Sequence, residues 1–295
     1  MAIPVGGCVN PIYLQKSLES VKQSGAVLYV GFDSQESLIS LKNYDVIREI
    51  CYQYADKVLE FPPEYYYRPG GIWKKIYDCW KDSGCKYVRC LGYDDCIPPD
   101  LIQKQDAFLE ANSNLDACYS NLRIIDDLKE SDKFFNTKLS LVNRVQSIGR
   151  SVPFNFICWL VRFDFLNTPE YERMLMKASA RWEWFFYATV VAGKVSHFDS
   201  DREWSAIRRE HINTITSQYE IQGLNERNEL LRQIREMVNY SEAETWADWE
   251  SLNMPAYYSR KRLETSLPLG TLSNLGVLGL LIRLARVTSR FSKKA

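Results

Sequence analysis

The chain contains 295 residues, enough for one large domain or for one domain with an appended segment. Its 37 basic residues are balanced by 37 acidic ones, so the composition excludes a strongly basic protein and no nucleic-acid partner is expected. Eight cysteines without a Cys-x-x-Cys pair, and only two histidines, argue against a zinc site. Reduced cysteines, together with first residues that do not resemble a secretory signal, predict a cytoplasmic protein.

The first hundred residues alternate between short apolar runs and stretches with helical periodicity. The apolar runs predict strands at residues 2–5, 26–30, 57–61 and 87–91. The stretches between them predict helices at residues 10–24, 44–54 and 72–80. Alternation of this kind implies an α/β fold with a mostly parallel sheet and right-handed crossovers.

Beyond residue 110 the pattern is less regular. Residues 116–122 and 124–125 predict further strands, whereas residues 133–150 look polar and loop-like with one helical stretch. Residues 154–165 are strongly apolar, which fits either a pair of strands or a buried segment. A helix is expected to begin at Thr168-Pro169-Glu170, and others are expected at residues 179–192 and 224–238.

The C-terminal tail has a composition of its own. Residues 272–282 are almost wholly apolar, and Arg283, Arg286 and Arg290 then recur at helical spacing. Because a helix needs about 20 apolar residues to span a bilayer, this segment is too short to cross one. Two interpretations stay open: a basic amphipathic helix on the anionic inner face of the cell membrane, or a helix docked on its own domain. We therefore expect a first domain over residues 1–220 and a helical extension over residues 221–295.

Two adjacent acids stand at the end of the fourth predicted strand. Gly92 allows a sharp backbone change after the strand, Asp94 and Asp95 follow, and a helix is predicted from Asp100. Open α/β sheets bind their ligands at the carboxyl ends of the strands. A pair of carboxylates there suits Mg²⁺ or Mn²⁺, hard cations that also bind substrate phosphates. The alternative is a turn with two solvated acids.

The order of the predicted strands, helices and acidic motif over residues 3–217 resembles that of a family-2-type glycosyltransferase of the GT-A fold. The opening residues 3–10, with Tyr13-Leu14 and the Ser-Leu-x-Ser-Val run that follows, are similar to the family's first strand and helix. The Gly-Tyr-Asp-Asp sequence at 92–95 resembles the family's Asp-x-Asp-Asp metal motif, with Gly92 in place of the first acid. The Arg-Glu-His-Ile-Asn sequence at 209–213 resembles a loop that closes over the donor diphosphate.

The resemblance implies a nucleotide-diphosphate sugar as donor and Mn²⁺ or Mg²⁺ as cofactor. The metal ligands would be Asp94, Asp95 and His211. The alternative for His211 is an ordinary histidine at the surface or in an interface. Donor contacts would come from Pro4, Asp33, Lys75, Asp94 and Arg209, with Arg208 as a further cation. Asp33 lies in a Gly-Phe-Asp-Ser run where the family usually has Asp-Asp-Gly-Ser, so only one acid of that motif is present.

The catalytic base is the point at which the chain departs most from the family. An inverting transferase needs a carboxylate to take the proton of the acceptor hydroxyl. The family's acid falls at Ala180 or Arg181 here, and Glu183 lies one helical turn further on. Three explanations stay open: Ala180 is an engineered substitution, Glu183 is itself the base, or the protein is a poor catalyst. Trp182 and Trp184 flank Glu183, and they predict either an acceptor platform or a helix packed into the core.

These features predict transfer of a sugar, with inversion, to a saccharide or lipid-linked saccharide acceptor in surface-polysaccharide biosynthesis. A nucleotidyltransferase is one rival, but it would require a glycine- and arginine-rich phosphate loop that Gly6-Gly7 alone does not provide. A catalytically silent binding protein is the other rival, and the absent acid near position 180 favours it.

Overall fold

The computed structural model describes residues 1–5, 9–33, 43–61, 71–127, 130–136, 156–176 and 193–210. The strands within these residues are β1 (Ala2–Val5), β2 (Tyr29–Asp33), β3 (Lys57–Phe61), β4 (Tyr87–Val88), β5 (Ala117–Tyr119), β6 (Leu122–Asp126), β7 (Ser131–Phe135), β8 (Trp159–Arg162), β9 (Val195–His197) and β10 (Ala206–Glu210). The helices are α1 (Pro11–Gln23), α2 (Tyr44–Tyr54), α3 (Gly71–Ser83), α4 (Leu101–Ala111), α5 (Phe163–Leu166) and α6 (Pro169–Leu175). Short 3-10 turns cover Phe156–Cys158 and Arg202–Trp204.

A mixed sheet forms the centre of the described region. Strands β1, β2 and β3 pair in that order and are parallel. The chain just after β4 runs parallel to β1, because Ala2 N–H donates to the Arg89 carbonyl and Leu91 N–H donates to the Ala2 carbonyl, both at 3.0 Å. On the far side of β4, β8 is antiparallel to both β4 and β5, and β9 is parallel to β5. The resulting order is β3-β2-β1-β4-β8-β5-β9.

A second, smaller sheet lies beside the end of β4. Strand β6 forms an antiparallel hairpin with β7 and a parallel pair with β10. Cys96 and Ile207 exchange two backbone hydrogen bonds of 2.9 Å each, which join β10 to the loop after β4. The two sheets are thereby connected through backbone hydrogen bonds as well as through the chain.

Local sequence signals explain α1. The Asn10 side chain caps the helix by accepting a hydrogen bond of 3.0 Å from the Ile12 N–H, and Pro11 supplies a first position that needs no donor. Leu14, Leu18 and Val21 recur at helical spacing and are fully buried. Burial of each such side chain stabilises the fold by roughly 2 kcal/mol, so packing rather than intrinsic propensity holds this helix in place.

Gly31 in β2 lets α3 pack closely on the sheet. A Cβ atom at this position would lie 2.5 Å from Cγ2 of Ile72 and 3.3 Å from Cδ1 of Ile76. Such distances are far below van der Waals contact, so α3 would have to move away from β2 to accommodate any other residue. The glycine is therefore needed for space at this point of the core.

Arg89, directly after β4, is completely buried. Its guanidinium donates to Oε1 of Gln105, 2.5 Å away, and to the backbone carbonyl of Ile157. Desolvation lowers its pKa to about 10, so the side chain still carries its charge at neutral pH. Its Nε makes no hydrogen bond within the described part of the chain.

The predicted elements of the first hundred residues are largely confirmed, with two differences in extent. Strand β2 begins at Tyr29 instead of residue 26, because the Leu28 backbone bonds the Asp56 side chain and the backbone at the start of β3. Strand β4 has only two residues of regular ladder, and its predicted continuation to residue 91 meets β1 through one isolated bridge at Cys90.

One later prediction is corrected. The loop expected from residue 133 is wrong for residues 133–135, which belong to β7; the Ser-Asp-Lys-Phe-Phe sequence of this strand has no alternation of apolar and polar residues. Residues 156–166, for which a pair of strands or a buried segment was expected, contain one strand, β8, followed directly by α5, and most of them are buried, so the buried segment is the alternative that is confirmed. The helices predicted at 179–192 and 224–238, the basic tail and the boundary at residue 220 lie outside the described residues. None of the helices in the described ranges combines the length and apolar character that crossing a membrane requires.

Candidate functional site

The loop that carries the two predicted acids leaves the central sheet at its ligand-binding edge. Strands β1, β2 and β3 are parallel, and the chain after β4 runs in the same direction, so their carboxyl ends meet at one edge. Residues 92–97, called the acidic loop below, begin at this edge and lead toward α4. This is where open α/β sheets bind ligands.

Asp95 is buried in the acidic loop, with 5% of its surface exposed. Its Oδ1 accepts a hydrogen bond from the backbone N–H of Arg209 at 3.2 Å, and its own N–H donates to the Gly92 carbonyl at 3.3 Å. Desolvation, and then the neighbouring charge of Asp94, raise the pKa of Asp95 to about 8, while Arg208 opposes the shift. Two ionised carboxylates at this point are therefore unfavourable unless a cation neutralises their negative charge.

Gly92 makes room for both carboxylates. A Cβ atom at position 92 would lie 2.5 Å from Oδ2 of Asp95 and 3.0 Å from Oδ1 of Asp94. One carboxylate oxygen of each acid thus lies close to the position that a Cβ atom of residue 92 would take. The motif that this loop resembles has an acid where this chain has Gly92. Here the carboxylate of Asp95 takes the space that the side chain of such an acid would need.

The acidic loop is held from two sides. From α1, the Ser17 hydroxyl donates to the Gly92 carbonyl at 3.1 Å, and the Ser20 hydroxyl accepts from the Ile97 N–H at 3.2 Å. From β10, the backbone bonds between Cys96 and Ile207 fix the middle of the loop. These bonds preorganise the two acids, because the loop backbone cannot shift without breaking them.

The acids fit a hard divalent cation in chemistry and in number. Mg²⁺ and Mn²⁺ prefer oxygen ligands, and Mg²⁺ sites at phosphates commonly use one or two carboxylates with water and phosphate oxygens completing the shell. Within the described ranges, no group of three or more His, Cys, Asp or Glu side chains could hold a metal ion. Asp94 and Asp95 would therefore hold a cation that takes most of its ligands from water and substrate. His211, the third predicted ligand, lies outside the described residues.

Asp127 is a neighbour of the site that the sequence analysis missed. It directly follows β6, and its Oδ1 lies 2.6 Å from Nη1 of Arg209. Its Oδ2 accepts a hydrogen bond from the Tyr13 hydroxyl, which raises the pKa of Tyr13. The Arg209 guanidinium carbon also lies 4.9 Å from the centre of the Tyr13 ring. The adjacent acids Asp126 and Asp127 after a strand predicted at 124–125 were the available signal, since the same logic singled out Asp94 and Asp95.

The other predicted donor residues occupy varied positions. Pro4 is buried in β1 opposite Gly31, and Asp33 is the last residue of β2, at the same edge as the acidic loop. Lys75 is exposed on α3. The residues predicted for the base, Ala180 and Glu183, lie outside the described residues.

A buried polar network follows β5 and β9 at the same edge of the sheet. Asn121 is 1% exposed, and its amide nitrogen donates to the Ser200 carbonyl at 2.6 Å. This orients the amide oxygen toward His197, whose Nε2 lies 2.8 Å away and therefore carries the proton of that hydrogen bond. Sequence analysis did not single out this network, because Asn121 is far along the chain from His197 and Ser200, and none of them belongs to a motif.

The mixed α/β architecture, with parallel strands and the acidic loop at their carboxyl edge, is consistent with a GT-A-like fold, and the likeness to solved structures confirms the predicted fold class. The crystal structure of S. aureus TarS 1-349 is similar to this chain, with a TM-score of 0.56 and 13% identity, over 92% of this chain and 75% of that chain. A second S. aureus TarS crystal structure has the same TM-score and 11% identity, over 92% of this chain and 46% of that chain. This chain thus spans less than half of the second structure.

No family model matches the chain, and no curated protein matches its sequence. At 11–13% identity the likeness to TarS shows the fold alone. Membership of the family-2-type glycosyltransferases therefore stays a prediction.

Proposed function

We propose that this chain is a metal-dependent glycosyltransferase that moves a sugar from a nucleotide-diphosphate donor to a saccharide or lipid-linked saccharide acceptor. The observation that carries the proposal is the convergence of Asp94 and Asp95 on Gly92 at the carboxyl edge of the sheet. A buried acid, Asp95, beside the partly exposed Asp94 is unfavourable by itself, and a cation that carries a diphosphate would compensate the two charges.

The proposed acceptor class comes from the structural neighbour. TarS is a wall teichoic acid glycosyltransferase, and its likeness to this chain supports a role in cell-surface polysaccharide synthesis. The basic tail with Arg283, Arg286 and Arg290 would bring the protein to the inner face of the membrane, where lipid-linked acceptors are found.

Each group of the proposed mechanism has a separate task. Bound Mn²⁺ or Mg²⁺ would supply positive charge to the leaving nucleoside diphosphate. Asp94 and Asp95 would hold that cation, and Arg208, whose charge already acts on Asp95, would add positive potential. Glu183 would take the proton of the acceptor hydroxyl as the sugar is transferred with inversion.

Calorimetry with UDP, GDP, CDP and ADP, each with and without Mn²⁺, tests the proposal. Wild-type protein should bind one diphosphate preferentially and only with Mn²⁺, and Asp94→Asn should weaken this binding at least about tenfold. Asp100→Asn is the matched control, because Asp100 lies six positions after Asp94, is exposed and makes no capping hydrogen bond. Absence of Mn²⁺-dependent binding, or equal effects of the two substitutions, would overturn the proposal.

The position of the base has its own test. Glu183→Gln should abolish sugar transfer and leave the affinity for the nucleoside diphosphate unchanged, because the base acts on the acceptor. Unchanged turnover in this variant would remove Glu183 from the mechanism. A large gain of turnover in Ala180→Asp would instead show that position 180 is where the base belongs. Nucleotide binding without turnover in every variant would favour the catalytically silent binding protein.

A further inference from the structure

Three side chains from separate elements form a closed cluster beside the acidic loop. Tyr13 comes from α1, Asp127 from the end of β6 and Arg209 from β10. The carboxylate of Asp127 bonds Tyr13 through one oxygen and Arg209 through the other, and the guanidinium of Arg209 lies over the Tyr13 ring. Each member of this Tyr13–Asp127–Arg209 cluster therefore contacts the other two.

The cluster is partly shielded from water. The side chain of Arg209 is 15% exposed and that of Asp127 is 27% exposed. An ion pair at this depth is screened less than a surface pair, and the stacked ring restricts the guanidinium further. The bond to Asp127 uses Nη1 of the guanidinium and the Tyr13 ring covers its face, so together they fix the position of the Arg209 side chain.

The backbone N–H of Arg209 links the cluster to the acidic loop. Its N–H donates to Oδ1 of Asp95 at 3.2 Å, near the long end of the range for such bonds. A small displacement of β10 would therefore release the carboxylate. The pairing of β10 with β6 and the backbone bonds between Cys96 and Ile207 already restrict this displacement. The cluster adds a side-chain restraint at Arg209 itself, the residue whose N–H reaches Asp95.

We propose that Tyr13, Asp127 and Arg209 are positioning residues that set the orientation of the Asp95 carboxylate and thereby the affinity of the acidic loop for its divalent cation. This inference rests on the proposed function, because it assumes that Asp95 binds the cation. Groups that orient a metal ligand in this way commonly change metal affinity by about 10- to 100-fold when they are removed.

The test measures binding of Mn²⁺ alone, from the electron paramagnetic resonance signal of the unbound ion. Asp127→Asn keeps the size of the side chain and removes its charge, and Tyr13→Phe keeps the ring and removes the hydroxyl. Asp132→Asn is the matched control, because Asp132 also pairs with an arginine of the second sheet, Arg123, but in a pair that does not contact the acidic loop. Asp95→Asn reports whether the site binds Mn²⁺ as proposed.

We expect Asp127→Asn to raise the dissociation constant for Mn²⁺ about tenfold and Tyr13→Phe about threefold, with no change in Asp132→Asn. Asp127→Glu should recover part of the affinity, because it restores the carboxylate. The melting temperature without metal should fall no more in Asp127→Asn than in the control, which separates positioning from a general loss of stability.

Two outcomes overturn the inference and leave the proposed function intact. One is a loss of Mn²⁺ binding in Asp95→Asn with normal binding in both Asp127→Asn and Tyr13→Phe. The other is tighter binding of a nucleoside diphosphate in Asp127→Asn, which would mean that a released Arg209 side chain grips the phosphates. Normal Mn²⁺ binding in Asp95→Asn, or none in wild type, would overturn the proposed function as well.

Discussion

The carboxylate of Asp95 accepts a hydrogen bond from the backbone N–H of Arg209, although 114 positions separate the two residues. The bond joins the acidic loop after β4 to a strand of the second sheet. It forms because Cys96 and Ile207 pair as antiparallel neighbours, which brings Asp95, the residue before Cys96, close to Arg209, two residues after Ile207. The geometry of the acids thus depends on the contact between two sheets as well as on the loop itself.

The first prediction concerns the space at Gly92. In Gly92→Ala the new methyl group would lie 2.5 Å from Oδ2 of Asp95, so the carboxylate must move. Asp95 is buried and hydrogen-bonded, and its displacement should weaken Mn²⁺ binding about tenfold or more. Electron paramagnetic resonance of unbound Mn²⁺ measures this effect. Wild-type affinity in the variant would show that the Asp95 carboxylate can move without affecting the cation site.

Gly25→Ala is the matched control for that substitution. Gly25 follows α1 with a φ of 72°, and a Cβ atom there would meet nothing within 4 Å. Alanine should therefore lower the free energy of unfolding by about 1 kcal/mol through backbone strain alone. Chemical denaturation should detect this loss, and Mn²⁺ affinity should stay at the wild-type value. Weaker Mn²⁺ binding in Gly25→Ala would mean that metal affinity follows stability in general.

The second prediction concerns the acid dependence of the β6–β7 hairpin. Hydrogen bonds from Arg123, and further ones from Arg202, lower the pKa of Asp132 to about 2. Because the pKa is lower in the folded protein than the ordinary value of 3.8, the stabilisation is complete above about pH 4 and is lost as the pH falls toward 2. The pair is partly exposed, so we expect Asp132→Asn to reduce the free energy of unfolding by about 1 kcal/mol at neutral pH.

Urea unfolding of wild type and Asp132→Asn between pH 7 and pH 2.5 checks this prediction. The difference between the two free energies should be constant from pH 7 to pH 4 and should shrink below that. The comparison removes the contribution of the other acids, since both proteins share them. A difference that stays constant down to pH 2.5 would show that Asp132 has an ordinary pKa.

The parts of the fold that were predicted are those that local patterns determine. The bounds of α2 and β3 agree with the predictions because apolar periodicity and the residues at the ends specify them. Strand β7 was missed because its Ser-Asp-Lys-Phe-Phe sequence does not alternate between apolar and polar residues, and backbone pairing with β6 holds it in the ladder. Of the site, the sequence showed Asp94 and Asp95 next to each other. It could not show that Asp127 reaches Arg209, since that contact exists only after two strands pair.

The third prediction concerns the buried charge of Arg89. Gln105 supplies one of its two hydrogen-bond acceptors, and the Ile157 carbonyl supplies the other. Gln105→Leu would leave a fully buried guanidinium with one acceptor, which should reduce the free energy of unfolding by about 3 kcal/mol or more. Adding Arg89→Met removes the charge that lacks compensation, so the double variant should be more stable than Gln105→Leu alone.

Urea unfolding of wild type, both single variants and the double variant at pH 7 gives the coupling energy between Arg89 and Gln105. We expect it to exceed about 1 kcal/mol, because a buried charge depends strongly on each of its partners. The exposed pair of Arg48 and Glu60 is the matched control, and its cycle should show a much smaller coupling because water screens both side chains. If the losses from Gln105→Leu and Arg89→Met simply add, the Gln105 carboxamide does not compensate the Arg89 charge. The Ile157 carbonyl would then be the acceptor on which the buried guanidinium depends.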